Sequence, residues 1–230
     1  MSADSEKRLA AARAVTLVED GMTLGLGTGS TASYAIRFLG MKVSEGMRLR
    51  GVPTSEATAA LARECGIPLV SLKEAGRIDL TIDGADEVDT QMRMIKGGGG
   101  ALLREKIVAA ASDAVIIIVD ASKVVQKLGS FPLPVEVVPF GAAYVQSMIE
   151  SLGARPTLRG GEANPFVTDD GHYILDCAFR TIERPEELSA MLNATPGVVD
   201  TGLFIGVTDA LIVGRGDQTK VFKRSKQANA

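Results

Sequence analysis

Tryptophan is missing from this 230-residue chain, histidine occurs once and cysteine twice. Each scarcity closes a route. Cys65 and Cys177 stand far apart with no C-x-x-C spacing. That argues against a disulfide scaffold or a zinc site and suits a reducing compartment. With His172 as the only imidazole, no Ser-His or Cys-His nucleophile–base pair stands out. Positive charge is not in excess either, because 25 Lys and Arg face 28 Asp and Glu for a formal net charge of −3. A nucleic-acid partner and a polybasic membrane surface are therefore not expected. An anionic ligand would have to be drawn in by local geometry. Long apolar runs are lacking as well. The longest block, 114–119, is strand-sized and far too short for a bilayer. The N-terminus carries early acids and no apolar core of signal-peptide length. The chain reads as a cytoplasmic protein, without internal repeats or low-complexity segments.

What is present is ordinary globular material, 46% hydrophobic and 23% charged. The length fits one α/β domain, or a larger domain with a smaller one inserted or appended. The centre of interest is Lys96-Gly97-Gly98-Gly99-Gly100, followed by an amphipathic run with Glu105 in its first turns. Consecutive glycines are costly to order. They are kept where backbone approaches something closely or where N–H groups face an anion, and the helix that follows adds further N–H groups and a positive dipole end. Taken alone, the run could equally be a flexible turn between a strand and a helix.

In chain order, 5–19 has helical spacing, and 22–27 reads as a short buried strand. It runs into Thr28-Gly29-Ser30-Thr31 and a helix over 30–39, with Ser or Thr available as N-cap. This loop is either a capped helix start or a cradle for one small phosphate. It fits neither G-x-G-x-x-G, because Ser30 replaces the last glycine, nor a P-loop, because no Lys is present. A strand near 49–55, a helix over 56–64 and a strand over 67–72 continue the alternation, which implies a parallel sheet with helices on both faces. The strand at 79–82 ends in Asp83-Gly84-Ala85-Asp86-Glu87-Val88-Asp89. Strand carboxyl ends are where such sheets bind ligands. Ala85 breaks an EF-hand pattern. Glu87 and Asp89 are expected to be solvated, whereas Asp83 and Asp86 flank the strand tip. A helix over 101–111 and a core strand over 114–119 follow, the strand ending in Asp120-Ala121-Ser122-Lys123. Lys123 could reach the same crevice or simply face solvent.

Beyond Lys127 the prolines Pro132, Pro134 and Pro139 mark a boundary. Residues 1–131 with 208–230 are expected to form the larger α/β domain, and 132–207 a small α+β domain. Within it, Asp170-Gly171 signals a hairpin turn, a helix is expected over 184–192, and His172 is expected to be an exposed strand residue. The strand at 208–213 is expected to rejoin the first sheet, and the basic tail from Lys220 to fray.

Together the strand tips supply a phosphate cradle, carboxylates, a cation, amides and a glutamate. That inventory suits proton abstraction beside a carbonyl in a small phosphorylated molecule. A carboxylate base needs a dry pocket to work near neutrality.

The motifs Gly25-Leu26-Gly27-Thr28-Gly29-Ser30-Thr31-Ala32, Ile82-Asp83-Gly84-Ala85-Asp86-Glu87 and 96–106, with Val52-Pro53-Thr54-Ser55, Tyr173-Ile174-Leu175-Asp176 and Gly202-Leu203-Phe204, resemble the signatures of the ribose-5-phosphate isomerase type A family. The likeness covers nearly the whole chain. It implies a Rossmann-like sheet domain with a smaller inserted α+β domain, a homodimer or homotetramer, a sugar-phosphate substrate and no metal or organic cofactor. It implies Glu105 as the base of an enediolate mechanism, with Lys96 and the glycine amides on the developing charge and Asp83 together with Asp86 moving protons between sugar oxygens. Substrate contacts are implied for Thr28, Gly29, Ser30, Thr31, Asp83, Gly84, Ala85, Asp86, Lys96, Gly97, Gly98, Gly99 and Lys123. Lys7 has too weak a context to be included. The segment 163–171 departs from the family pattern, which puts assembly or lid contacts in doubt rather than chemistry. The alternatives are a sugar-phosphate deaminase or lactonase, which would lean on His172, and a non-catalytic sugar-phosphate sensor, which would need a DNA-binding module and has no use for Glu105.

Overall fold

A computed structural model describes residues 2–224. Its helices are α1 (Ala3–Val15), α2 (Ser30–Ser44), α3 (Glu56–Glu64), α4 (Leu72–Ala75), α5 (Leu102–Ala110), α6 (Ala142–Ser151) and α7 (Pro185–Asn193). The first strands are β1 (Thr23–Leu26), β2 (Arg50–Pro53), β3 (Leu80–Asp83), β4 (Glu87–Val88), β5 (Met94–Ile95) and β6 (Val115–Asp120). The rest are β7 (Leu133–Val137), β8 (Arg155–Leu158), β9 (Tyr173–Ala178), β10 (Val198–Thr201), β11 (Leu203–Phe204), β12 (Ala210–Arg215) and β13 (Gln218–Lys223).

Two compact units result. The first holds the described residues up to Gly84, Val108–Ser122, and those from Gly206 on. The second holds Ala85–Ile107 and Lys123–Ile205. Ala85–Ile107 joins the second unit because β4 and β5 pair with each other and β5 pairs with β11.

In the first unit the sheet order is β13-β12-β6-β3-β1-β2. All neighbours are parallel except the β12–β13 hairpin. Strand side chains alternate between faces, and here the alternation is fully used. Leu24, Leu26, Leu80, Ile82, Ile116, Ile118 and Ile212 meet Ala10, Ala11 and Ala14 of α1 and Ala35, Ile36 and Leu39 of α2. Val52, Ile78 and Val108 form a separate cluster. A Cβ at Gly25 would fall 1.9 Å from Thr81 Oγ1 and 2.6 Å from Val108, so only glycine lets these elements close. The fold is α/β with a Rossmann-like, mostly parallel sheet. The chain steps from β1 to β2 on one side and then to β3 on the other. This reversal is the kind of point where α/β sheets hold ligands, and the 28–31 loop and Asp83 lie at the two strand tips flanking it.

In the second unit an antiparallel sheet ordered β10-β7-β9-β8 carries a core of Leu133, Val135, Val137, Val145, Ile149, Leu175 and Leu192. Among the described residues no helix is long and apolar enough to cross a membrane.

Two local expectations fail for readable reasons. Residues 67–72 make only an isolated bridge, Gly51 to Leu69. Pro68 has no N–H to give a ladder, and a Ser71–Glu74 capping box turns the chain into α4 instead. Lys220 does not open a frayed tail, because it pairs with Val213 inside β13; residues 225–230 lie outside the described range.

Candidate active site

The first unit assembles one group of candidates. Asp83 ends β3 and is buried. Its Oδ1 accepts from the Thr28 N–H at 3.1 Å and the Gly84 N–H at 2.7 Å. Gly27 makes this possible, since a Cβ there would lie 2.1 Å from Asp83 Oδ1. Thr28 does not offer its hydroxyl outward. It donates to Ser55 Oγ at 2.9 Å and lies 2.8 Å from Thr54 Oγ1 and 3.0 Å from Thr58 Oγ1. That hydroxyl cluster locks the loop after β1 to the start of α3. Gly29, with φ of 110°, is the N-cap of α2, and no side chain caps the helix. The expected Ser or Thr cap is absent because glycine holds the N-cap position, which leaves the first-turn amides of α2 without a side-chain acceptor there. Ser30 is exposed and accepts from Lys7 Nζ at 3.0 Å. Thr31 is buried. Lys7 thus reaches the loop from α1, a contact its local sequence signalled only weakly.

The second unit assembles the other group. Lys96 and Glu105 are both buried, at 3% and 5% side-chain exposure, and Lys96 Nζ lies 3.1 Å from Glu105 Oε1. A buried ion pair of this kind is poor evidence for stability, since desolvation offsets its attraction; it is better read as chemistry. The Lys96 ammonium also lies 5.3 Å from the Phe204 ring centre, and Lys106 4.8 Å from the same ring, both in cation–π range. Lys106 donates to Asp200 at 2.5 Å and to the Thr201 carbonyl at 2.6 Å. Burial lowers its pKa, and Asp200 opposes that. Asp86, half-buried, accepts from the Gly98 N–H at 2.8 Å, and a Cβ at Gly98 would lie 2.7 Å from its carboxylate. Gly97 has φ of 104°, and Gly98 and Gly99 are exposed. Ala85 is half-buried and apolar. Lys123 ends a short 3-10 turn and is half-buried. Neither is hydrogen-bonded to another candidate. Among the described residues, no group of three or more His, Cys, Asp and Glu could hold a metal ion.

Three expectations about polar residues are corrected. Glu87 is not solvated: it is buried and accepts from the Gly129 and Phe131 N–H groups at 2.7 and 2.6 Å. Asp89 is buried too, accepting from the Gln91 and Arg93 N–H groups and the Arg93 guanidinium. Both stabilise loop amides that would otherwise be orphaned. His172 precedes β9, is half-buried, and places Nδ1 3.0 Å from Glu136 Oε1. The 163–171 segment also proves less remote than expected. Phe166 fills the space beside Gly100, where a Cβ would fall 2.5 Å from the ring, and Asp170 receives Arg104 Nε at 3.1 Å.

Burial pushes the Glu136 carboxyl above its ordinary value, with His172 and Thr168 opposing. The folded state therefore holds this proton where the unfolded chain has lost it. Its contribution to stability is full below the unfolded pKa, about 4.3, and declines as pH rises through the folded value. Glu136→Gln should escape that decline. Thermal melts across pH should show the variant gaining on the native chain as pH rises from about 4.3; a constant difference would overturn the reading.

A Rossmann-like unit that ends two neighbouring strands in a small-residue loop and a buried aspartate, and an antiparallel unit that buries a lysine against a glutamate, make this an α/β enzyme. The family model of ribose 5-phosphate isomerase A (phosphoriboisomerase A) matches residues 50–218. A ribose-5-phosphate isomerase A of Gloeobacter violaceus is 57% identical over 215 residues, covering 93% of this chain and 94% of that protein. The solved ribose 5-phosphate isomerase A of Methanocaldococcus jannaschii superposes with a TM-score of 0.92 at 40% identity, covering 97% of this chain and 100% of that one. A D-ribose-5-phosphate isomerase solved in complex with phospho-erythronic acid superposes with a TM-score of 0.94 at 38% identity, with 97% and 100% coverage. The chain belongs to the ribose 5-phosphate isomerase A family.

Proposed function

We propose that this protein interconverts D-ribose 5-phosphate and D-ribulose 5-phosphate through an enediolate. The observation that carries the reading is the buried Lys96–Glu105 pair at 3.1 Å, separated in sequence by the glycine loop. Glu105 takes the proton from C2 of the open-chain aldose and returns it to C1. Lys96 and the amides of Gly97 and Gly99 stabilise the oxyanion formed between those steps, while the Gly98 amide holds Asp86 in the site. Asp83 and Asp86 assist the proton that moves between the sugar oxygens. Gly29, Ser30 and Thr31 hold the phosphate through the uncapped turn of α2, joined by Lys7, and Thr28 anchors that loop beside the substrate. Gly84, Ala85 and Lys123 complete the substrate contacts. Family membership supports the substrate, and the solved relative with bound phospho-erythronic acid, an anionic sugar-acid phosphate, supports the charge that the donors would meet.

A deaminase or lactonase that relied on His172 is disfavoured, because His172 bonds to Glu136 and Thr168, neither of which belongs to the candidate groups. We also read the protein as cytoplasmic, which its free Cys65 and Cys177 suit, and as a homodimer or homotetramer, supported by the exposed Phe140 and Tyr144. As a division of function, distinct from the compact units described above, we propose 1–131 with 208–230 as the catalytic domain and 132–207 as the small one.

The test is a coupled assay on purified protein treated with EDTA. Full isomerase turnover is expected after chelation. Loss of activity that added metal restores would overturn the metal-free mechanism, and no turnover at all would overturn the function. Sedimentation equilibrium on the same preparation should give a dimer or tetramer mass, and a monomer would sink that part.

A further inference from the structure

Arg159 follows β8 and belongs to the second unit, yet none of the chemistry above uses it. Its side chain is 17% exposed and is held at both ends. Nε and Nη2 donate to Asp176 at 2.9 and 2.6 Å, a bidentate clamp on β9. Nη1 donates to the Gly97 carbonyl at 3.0 Å and, more weakly, to the Gly98 carbonyl at 3.4 Å. The Phe166 ring centre lies 5.7 Å from the guanidinium carbon, and the Phe166 N–H donates to the Arg159 carbonyl at 2.8 Å. The same ring occupies the space beside Gly100.

A planar trans peptide points its C=O and its N–H in opposite directions. Holding the Gly97 carbonyl therefore aims the Gly98 N–H, and holding the Gly98 carbonyl aims the Gly99 N–H. The Gly98 amide meets Asp86 at 2.8 Å. Glycine peptides without such a clamp rotate freely, since no side chain restricts φ and ψ. Donors stabilise a developing charge only when their direction is set beforehand.

We propose that Arg159 is a positioning residue: clamped by Asp176, it fixes the Gly97–Gly98 peptide so that its amide holds the Asp86 carboxylate, and the Gly98–Gly99 peptide so that its amide is set toward the anion formed in the reaction. This rests on the isomerase reading given above. A planar fork is required, because one group must serve a carboxylate and two carbonyls at once; an ammonium lacks that geometry.

Arg159→Lys and Asp176→Asn test it, with steady-state kinetics on ribose 5-phosphate and calorimetric binding of phospho-erythronic acid as the anionic probe. Both variants are expected to lose about 10–100-fold in kcat, Arg159→Lys more, with KM changed by less than about threefold. The Kd for phospho-erythronic acid should rise by the same factor as kcat/KM falls, the mark of an interaction made in the transition state. A merely structural role would lower the melting temperature and leave that correlation absent. If Arg159→Lys does not fold, Asp176→Asn decides alone. Unchanged kcat in the folded variants, or a loss appearing only in KM, overturns the proposal while native turnover leaves the isomerase reading intact. An inactive native protein overturns the isomerase reading, and this inference with it.

Discussion

Replacing Glu105 by Gln should lower kcat by about 10²–10⁴-fold or more, the usual cost of losing a general base. Gln keeps the size of the side chain and an acceptor for Lys96, but it cannot take a proton. The buried surroundings make the reading of this variant delicate. Lys96 is 3% exposed and faces Glu105 at 3.1 Å, so neutralising the acid leaves an ammonium buried beside an amide. Removing one partner of such a pair outright costs about 3–5 kcal/mol, and the retained amide oxygen should hold the loss nearer 1–3 kcal/mol. Part of any activity loss could then be unfolding. Circular dichroism at the assay temperature separates the two, because the kcat loss should persist in fully folded protein. KM should stay within about threefold if ground-state binding is set by the 28–31 loop. A folded Glu105→Gln protein within about tenfold of native kcat would sink the base assignment. Lys96→Met gives the complementary variant: it breaks the same pair but keeps the carboxylate, so its stability should fall comparably while its kcat falls less.

The residues that were legible from the sequence, and those that were not, differ in how far away their partners lie. The strands of the first unit announced themselves because Leu24, Leu26, Ile82, Ile116 and Ile118 are apolar at strand spacing, and they do form one core. The turns of glycines at 25, 27 and 97–100 were visible as costly segments, and several prove to be close approaches, as at Gly27 against Asp83. Polar residues were misjudged wherever the partner is distant. Glu87 looks like part of a solvated acidic run, but its acceptors serve amides more than forty residues on, at Gly129 and Phe131. His172 meets Glu136 across a sheet. Nothing local marks Arg159 as the group that holds the Gly97 carbonyl. The Thr54, Ser55 and Thr58 hydroxyls carried a faint signal, since three hydroxyls gathered at a strand end and helix start are more than one cap requires. Lys7 carried only a weak one, because a lysine in the first turns of a helix is ordinarily solvated.

Gly27→Ala should be the most damaging change at a residue that is not itself a reacting group. A Cβ there would stand 2.1 Å from Asp83 Oδ1, 2.4 Å from its Cγ and 2.6 Å from its Cα. The carboxylate could rotate away, but the Cα belongs to β3, which pairs in parallel with β1. Relief therefore requires the strand tips to part. Overpacking of this kind costs about 1–3 kcal/mol, and the melting temperature should fall accordingly. The chemical effect should exceed the thermal one. Asp83 Oδ1 is held by the Thr28 and Gly84 amides, so moving it drags the loop that leads into α2. A displacement near 1 Å in groups that position a substrate can cost about 10²-fold in rate, and the loss should appear in kcat/KM. Gly84→Ala supplies the comparison for stability. Its nearest neighbours would be the Ile118 carbonyl at 3.9 Å and Thr31 at 4.0 Å, so the added methyl makes only ordinary van der Waals contacts and the melting temperature should hardly move. If Gly27→Ala melts like the native protein and turns over normally, the close packing of β1 against Asp83 does not position the acid, and the role assigned to that strand tip fails with it.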